Sequence, residues 1–327
     1  MANVTKHAFG ARENIETAKT AGTLNAYDML HLDNGEMGWL DKDGNVVIHA
    51  DRSQVAHTLN GTTLGSLQNG DTIPAGVTMD ELLVMMTQKA IPATYTKPTI
   101  SLANNGGQAA GNVEAGTSIT PKLKATFTQN DAGALTNINI KKDGTVVETG
   151  STSPLTHTGD AFVIGDATVT YKATASYAAA PVKNNNLGKE STENWFDAGS
   201  VESSAFSITG KRYSFAGTGV GAVPTVDSAF VRGLTKKTLG PSNGNKITIN
   251  VEVGQQYVAF AYPATLRDVN QVKYEEANDT GMASNFTKST VDVADARGGT
   301  NGLTSYKVYT YAMAVPAAAA MTFTVTI

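Results

Sequence analysis

Cysteine is absent from this chain of 327 residues. That excludes a disulfide framework and thiolate metal sites, so stability has to come from buried cores or from association of copies. A surplus of one charge is also missing. Against 25 Lys and Arg stand 29 Asp and Glu, a formal net charge of −4. The cations are scattered, which removes the electrostatic footprint of a nucleic-acid binder. Apolar runs are too short to span a bilayer as helices, so no membrane insertion is expected. The opening Met-Ala-Asn-Val-Thr-Lys lacks the apolar stretch of a secretory signal. Synthesis in a cytoplasm and release by lysis, as for a virus particle, is the expectation that fits both the missing signal and the missing thiols.

Catalytic signatures are equally scarce. The histidines are His7, His31, His49, His57 and His157, and none has the spacing of a metal-binding helix. Asp41-Lys42-Asp43-Gly44-Asn45 places its glycine too early for a calcium loop, and Arg52 stands where that loop needs a bidentate Glu. A hairpin turn is the better reading. Gly217-Thr218-Gly219-Val220-Gly221 runs into Ala222-Val223-Pro224, an extended segment rather than a helix, so it reads as a flexible loop and not as a phosphate cradle. No Gly-x-Ser-x-Gly elbow occurs. Carboxylates are plentiful enough for a glycosidase pair, yet nothing singles out two of them. No enzymatic activity, cofactor or metal site is expected.

What the sequence does contain is a change of texture along its length. Residues 1–60 carry turn signals at Asp33-Asn34-Gly35 and at Asp41 to Asn45, with Glu36-Met37-Gly38-Trp39-Leu40 between them. They predict a small β-meander with Trp39 as its packing centre; residues 11–20 suit a short helix or an extended arm. Residues 61–93 read as a linker and a short helix. Thr78 and Glu81 form a capping box, and Pro92 stops the helix. Met79, Leu82, Leu83 and Met86 share one face. A helix of about three turns does not persist alone in water, so this stripe packs on its own domain or on copies of itself. It is the predicted oligomerisation face.

The remainder is β-patterned. Residues 94–210 alternate with turn signals at regular spacing, as in Ile138 to Ile140 through Lys142-Asp143-Gly144, and in Ala167 to Ala175. About seven short strands there suggest an immunoglobulin-like sandwich without its cysteine pair. Residues 211–327 form a second sandwich-like module, with Ile247, Ile249, Val251 and Val253 alternating, a more continuous apolar strand near Gln256 to Tyr262, and a final strand expected to be paired within its sheet. The predicted fold class is thus mainly β: an N-terminal cap, a short helix and two β-modules. A polar loop from Lys183 to Asp197 carries Trp195 and Phe196, which suit a sugar contact, a plug into a neighbouring subunit, or closure of one end of the sandwich core.

Several of these stretches resemble bacteriophage virion structural proteins of the head-fibre or fibre-like type. They are Leu24 to Leu30 with Gly35 to Asn45, Gly70 to Gly76 with Ile91 to Tyr95, and Val258 to Leu266 with Tyr306 to Tyr309. The resemblance implies a non-enzymatic particle component. Its N-terminal part, with Tyr27, Leu30 and Trp39 as docking residues, would sit on the major capsid protein or another virion protein. It also implies a homo-oligomer, most often a trimer, displaying its β-modules towards host-surface glycans. A tail-associated fibre and a carbohydrate-binding adhesion protein are the alternatives. The chain departs from long fibres in lacking heptads or a repetitive shaft, which makes it a short, knobby appendage.

Overall fold

The computed structural model describes residues 7–10, 14–24, 28–32, 37–49, 57–59, 65, 67 and 69–327. The turn expected at Asp33-Asn34-Gly35 and the docking residue Tyr27 lie outside them. The chain divides into two compact units, Met1–Thr94 with Val182–Trp195, and Tyr95–Pro181 with Phe196–Ile327.

The first unit opens with β1 (His7–Gly10), α1 (Ile15–Thr20), β2 (Met29–Leu32), β3 (Met37–Leu40) and β4 (Val46–His49). The strands form one sheet in the order β1-β2-β3-β4, with β1 parallel to β2 and the rest antiparallel. The Asp41 to Asn45 run is the β3–β4 turn. Asp41 Oδ1 accepts from Asp43 N at 2.9 Å and Asn45 N at 2.8 Å, and Gly44 supplies a φ of +77°. Ile15, Leu30 and Leu40 bury together against half-buried Leu24. Trp39 is not the packing centre. Period-two alternation sends Gly38 and Leu40 inward and Trp39 outward, 41% exposed. Next come β5 (His57–Thr58), its partner β6 (Thr72–Ile73), and α2 (Met79–Thr87). The capping box forms as expected. Glu81 N donates to Thr78 Oγ1 at 3.2 Å, and Thr78 N donates to Glu81 Oε2 at 2.8 Å.

The second unit continues with β7 (Thr99–Asn104), β8 (Gly111–Glu114), β9 (Ser118–Ile119), β10 (Lys122–Thr128), β11 (Leu135–Lys142), β12 (Thr145–Gly150), β13 (Leu155–Thr158), β14 (Phe162–Val163) and β15 (Thr168–Tyr177). The chain then leaves for the first unit, where β16 (Lys183–Asn184) and β17 (Glu190–Ser191) make a hairpin. It returns as β18 (Gly199–Glu202) and β19 (Phe206–Lys211). A sheet β13-β10-β7 packs on a sheet β12-β11-β15-β19-β8, with β18 also paired to β15. Between them lie Leu123, Ala125 and Phe127 from one sheet, and Ile138, Ile140, Tyr171 and Ile208 from the other. Each such large side chain contributes ~1.5–3 kcal/mol by leaving water. Asp143 and Gly144, with φ of 46° and 86°, join β11 to β12 in the two-residue, doubly left-handed turn that the sequence signals.

The rest of this unit comprises β20 (Tyr213–Gly219), α3 (Ser228–Gly233), β21 (Lys236–Leu239), β22 (Lys246–Val251), β23 (Tyr257–Pro263), β24 (Gln271–Tyr274), β25 (Thr287–Val293), β26 (Thr304–Ala312) and β27 (Met321–Thr326). The sheet β21-β20-β23-β26-β25 is covered on one face by β22-β27-β24 and on the other by α3. This is why β23 is apolar at successive positions. Phe260 and Tyr262 enter one core while Ala259 and Ala261 enter the other. The final strand β27 is the middle strand of its sheet. The expectation of a loop at Gly217 to Gly221 is corrected, because Gly217 to Gly219 end β20.

The segments read as separate modules, 94–210 and 211–327, fall within one compact unit apart from 94 and the excursion to β16 and β17. Arg232 Nη1 donates to Glu114 Oε1 at 2.8 Å and to the Ala294 carbonyl at 2.9 Å. Arg212 grips Asp166 through Nε at 2.8 Å and Nη2 at 2.7 Å, and its Nη1 reaches the Gly302 carbonyl. Backbone bonds Ala115 N to Lys211 O and Ala296 N to Ala115 O add to these. A bidentate Arg–carboxylate pair such as Arg212–Asp166 holds geometry far better than exposed lysine pairs do.

Candidate interaction sites

The outward face of the small N-terminal sheet is organised by register. Met29 opposes Trp39 across β2 and β3, and Trp39 opposes Val47 across β3 and β4. Met29 is 37% exposed and Trp39 41%, with Val47 half-buried. A row of apolar side chains therefore crosses three strands on a surface facing solvent. Leu30, one residue from Met29, points the other way and is buried in the cap core. Of the three residues expected to dock, only Trp39 is seen on the surface. Met29 and Val47 join it, a pairing that register reveals and sequence spacing does not.

Helix α2 carries the second surface. None of its nine residues is buried. Met79, Leu83 and Met86 recur at intervals of four and three residues, so they stand on one stripe, and all are exposed. Val84, also exposed, widens the stripe. Leu82 is half-buried, as is Met85, which lines a cleft of about 440 Å³ with Leu67, Pro74 and Leu187 of the same unit. Asn186 fastens this cleft to the segment after the helix, accepting from Ile91 N at 2.6 Å. Lys189 and Asp71 form an ion pair across it.

Trp195 and Phe196, adjacent in sequence, belong to different units. Trp195 is half-buried, its N donating to the Thr192 carbonyl at 3.2 Å. Phe196 lies edge-on to Tyr95 and Tyr177, with ring centroids 6.2 and 6.1 Å away. Tyr177 in turn packs on the sandwich core, so Phe196 closes one end of that core.

Among the described residues no group of three or more His, Asp or Glu side chains could hold a metal ion, and no helix is long and apolar enough to cross a membrane. His157 is buried on β13, with Nδ1 3.3 Å from Glu148 Oε2. Two of the carboxyl perturbations belong to ion pairs, Asp268 at the surface and Asp295 buried. Hydrogen bonds from Lys288 and Lys307 hold the Asp268 carboxyl down at about 2. The side-chain bond from Arg297, ahead of its backbone bond, lowers that of Asp295. These groups are paired with cations rather than poised for proton transfer. No protein-family model matches the chain, and no curated protein matches it.

Proposed function

We propose that this chain is a non-enzymatic structural component of a bacteriophage particle, a short head fibre or capsid decoration protein of the virion. Its N-terminal unit docks on the major capsid protein or another virion protein and gathers copies into a homo-oligomer, a trimer in the first instance. Its β-unit is displayed outward for adhesion, and residues 94–210 take an immunoglobulin-like topology within it. The observation that carries this reading is the unequal apolar surface of the N-terminal unit. A nine-residue helix with no buried residue exposes Met79, Leu83, Val84 and Met86, and the sheet of the same unit exposes Met29 and Trp39. Contiguous exposed apolar side chains of this kind mark protein interaction surfaces. A helix so short is not stable without something to pack on.

Two measurements test it. The native mass of the full chain is expected to be that of a trimer, and Leu83→Glu with Met79→Glu to reduce it to the monomer without altering the tyrosine circular dichroism of the β-unit. A wild-type monomer overturns the self-association. Antibody raised against the purified chain is expected to label intact particles pelleted from a phage lysate of the host. Labelling confined to the soluble fraction overturns the particle assignment.

A further inference from the structure

A cleft of about 520 Å³ opens on the C-terminal part of the second unit, between the end of β20, the turn leading to α3, and the start of β23. We infer that it is a binding site for a neutral saccharide of one or two rings. The juxtaposition that carries the inference is an aromatic floor of Tyr257 and Phe230 surrounded by the hydroxyls of Thr218, Thr225 and Thr235 and the carboxylate of Asp227. This deepens the display reading above and rests on it only for the gain from multiple copies.

The floor is built rather than incidental. The rings of Phe230 and Tyr257 are 6.1 Å apart and tilted by 45°, forming a shallow trough. The Tyr257 ring lies directly over Gly219, where a Cβ would stand 2.6 Å from ring carbon Cε1 and collide with the hydroxyl. Leu234 approaches Gly217 less closely, its Cδ2 3.2 Å from where a Cβ would be. The two glycines therefore let one wall close on the strand. Helix α3 brings Phe230 to the other side, with Asp227 Oδ1 capping it by accepting from Phe230 N at 2.8 Å. That bond orients the carboxylate and commits one oxygen.

The chemistry of the lining selects the ligand. Phosphate or a nucleotide would meet a carboxylate and no cationic side chain. A lipid chain would leave the polar rim without partners, at a cost of about 1–3 kcal/mol per desolvated group. A sugar ring answers both parts, laying its C–H face on the aromatic trough and directing its hydroxyls to the threonines and to Asp227 Oδ2. The hydroxyls of Thr218, Thr225, Thr235 and Tyr257 take no hydrogen-bond partner among the described residues, so they are available to it. A shallow, partly open site of this kind binds weakly per copy. Copies joined through α2 would raise the avidity by linkage rather than by new contacts.

The test uses the full chain and a panel of neutral trisaccharides: maltotriose, cellotriose, mannotriose and N-acetylated chitotriose. Saturation-transfer NMR identifies a binder and titration gives its Kd. At least one is expected to bind saturably in the millimolar range. Tyr257→Ala should weaken it about tenfold or more, and Thr235→Val by roughly threefold to tenfold. Thr235 is exposed, so its variant keeps the fold and decides the matter if Tyr257→Ala fails to fold. Absence of binding across the panel, or unchanged affinity in Thr235→Val together with Asp227→Asn, overturns the inference. A chain that self-associates but binds no saccharide removes this site and leaves the particle reading standing. A monomer that binds through Tyr257 keeps this site and removes the self-association.

Discussion

Trp39 and Leu40 are neighbours on one strand with opposite surroundings, and they would separate the proposed docking from stability. Leu40 is 1% exposed, so Leu40→Ala is expected to cost the N-terminal unit about 2–5 kcal/mol through lost burial and the cavity left behind. Trp39→Ala should cost less than ~1 kcal/mol yet abolish docking, measured by denaturation against co-sedimentation with particles. In the second unit Gly116 has φ +93° and faces the Asp295 carboxyl and Ala296 N, the latter 2.7 Å from where a Cβ would be. Gly116→Ala combines a left-handed backbone with that collision, and about 1–3 kcal/mol of destabilisation is expected in urea. Asp268 supplies the pH dependence. Its carboxyl is depressed in the folded state to about 2 from an ordinary 3.8. The lysine pairing therefore contributes fully above pH ~4 and is lost as pH falls through ~2. Both lysine contacts are at the surface and screened, so the effect is small. Asp268→Asn should make the melting temperature less sensitive to pH across that window, and an unchanged slope would remove the assignment.

At the scale of elements, what was legible in the sequence is what local chemistry decides. Thr78 and Glu81 announced α2, Asp143-Gly144 announced the β11–β12 turn, and the alternation of Ile247, Ile249 and Val251 announced β22. What was misread depends on residues far away in the chain. Gly217 and Gly219 looked like a loop, yet their lack of a side chain serves Leu234 and Tyr257. The size of Trp39 suggested a packing centre, but strand period outweighs size once the neighbouring Leu40 claims the inside. Helix α3 is six residues long, too brief to leave a periodic signal, and only the Asp227 cap marks its start. The excursion to β16 and β17 could not be read at all, because no local pattern says which unit a hairpin joins. One expectation follows for α2. Thr78→Ala removes the N-cap acceptor and should weaken the helix by about 1 kcal/mol. If self-association requires the helix to be ordered, the monomer–oligomer equilibrium shifts by roughly fivefold per subunit, readable by sedimentation. No shift would place the interface elsewhere.

At the scale of the whole molecule, the spectroscopic reporters happen to sort with the two units. Both tryptophans, Trp39 and Trp195, fall in the first unit, whereas every tyrosine except Tyr27 falls in the second. Tryptophan emission therefore follows the N-terminal unit, and near-ultraviolet tyrosine dichroism follows the β-unit. The described core of the first unit amounts to Ile15, Leu30, Leu40 and Leu67. The second unit buries three large clusters, with Tyr171, Phe260, Tyr262, Tyr306 and Phe323 all nearly inaccessible. Because stability scales with apolar area removed from water, the tryptophan signal should change at lower denaturant than the tyrosine signal. The proposed self-association would add a dependence on protein concentration, since whatever binds only the folded state stabilises it. If copies join through α2, the tryptophan midpoint rises with concentration and the tyrosine midpoint stays fixed. Coincident transitions at every concentration would mean that the N-terminal unit draws its stability from the β-unit instead of from other copies, and the assembly role of α2 would fall with that result.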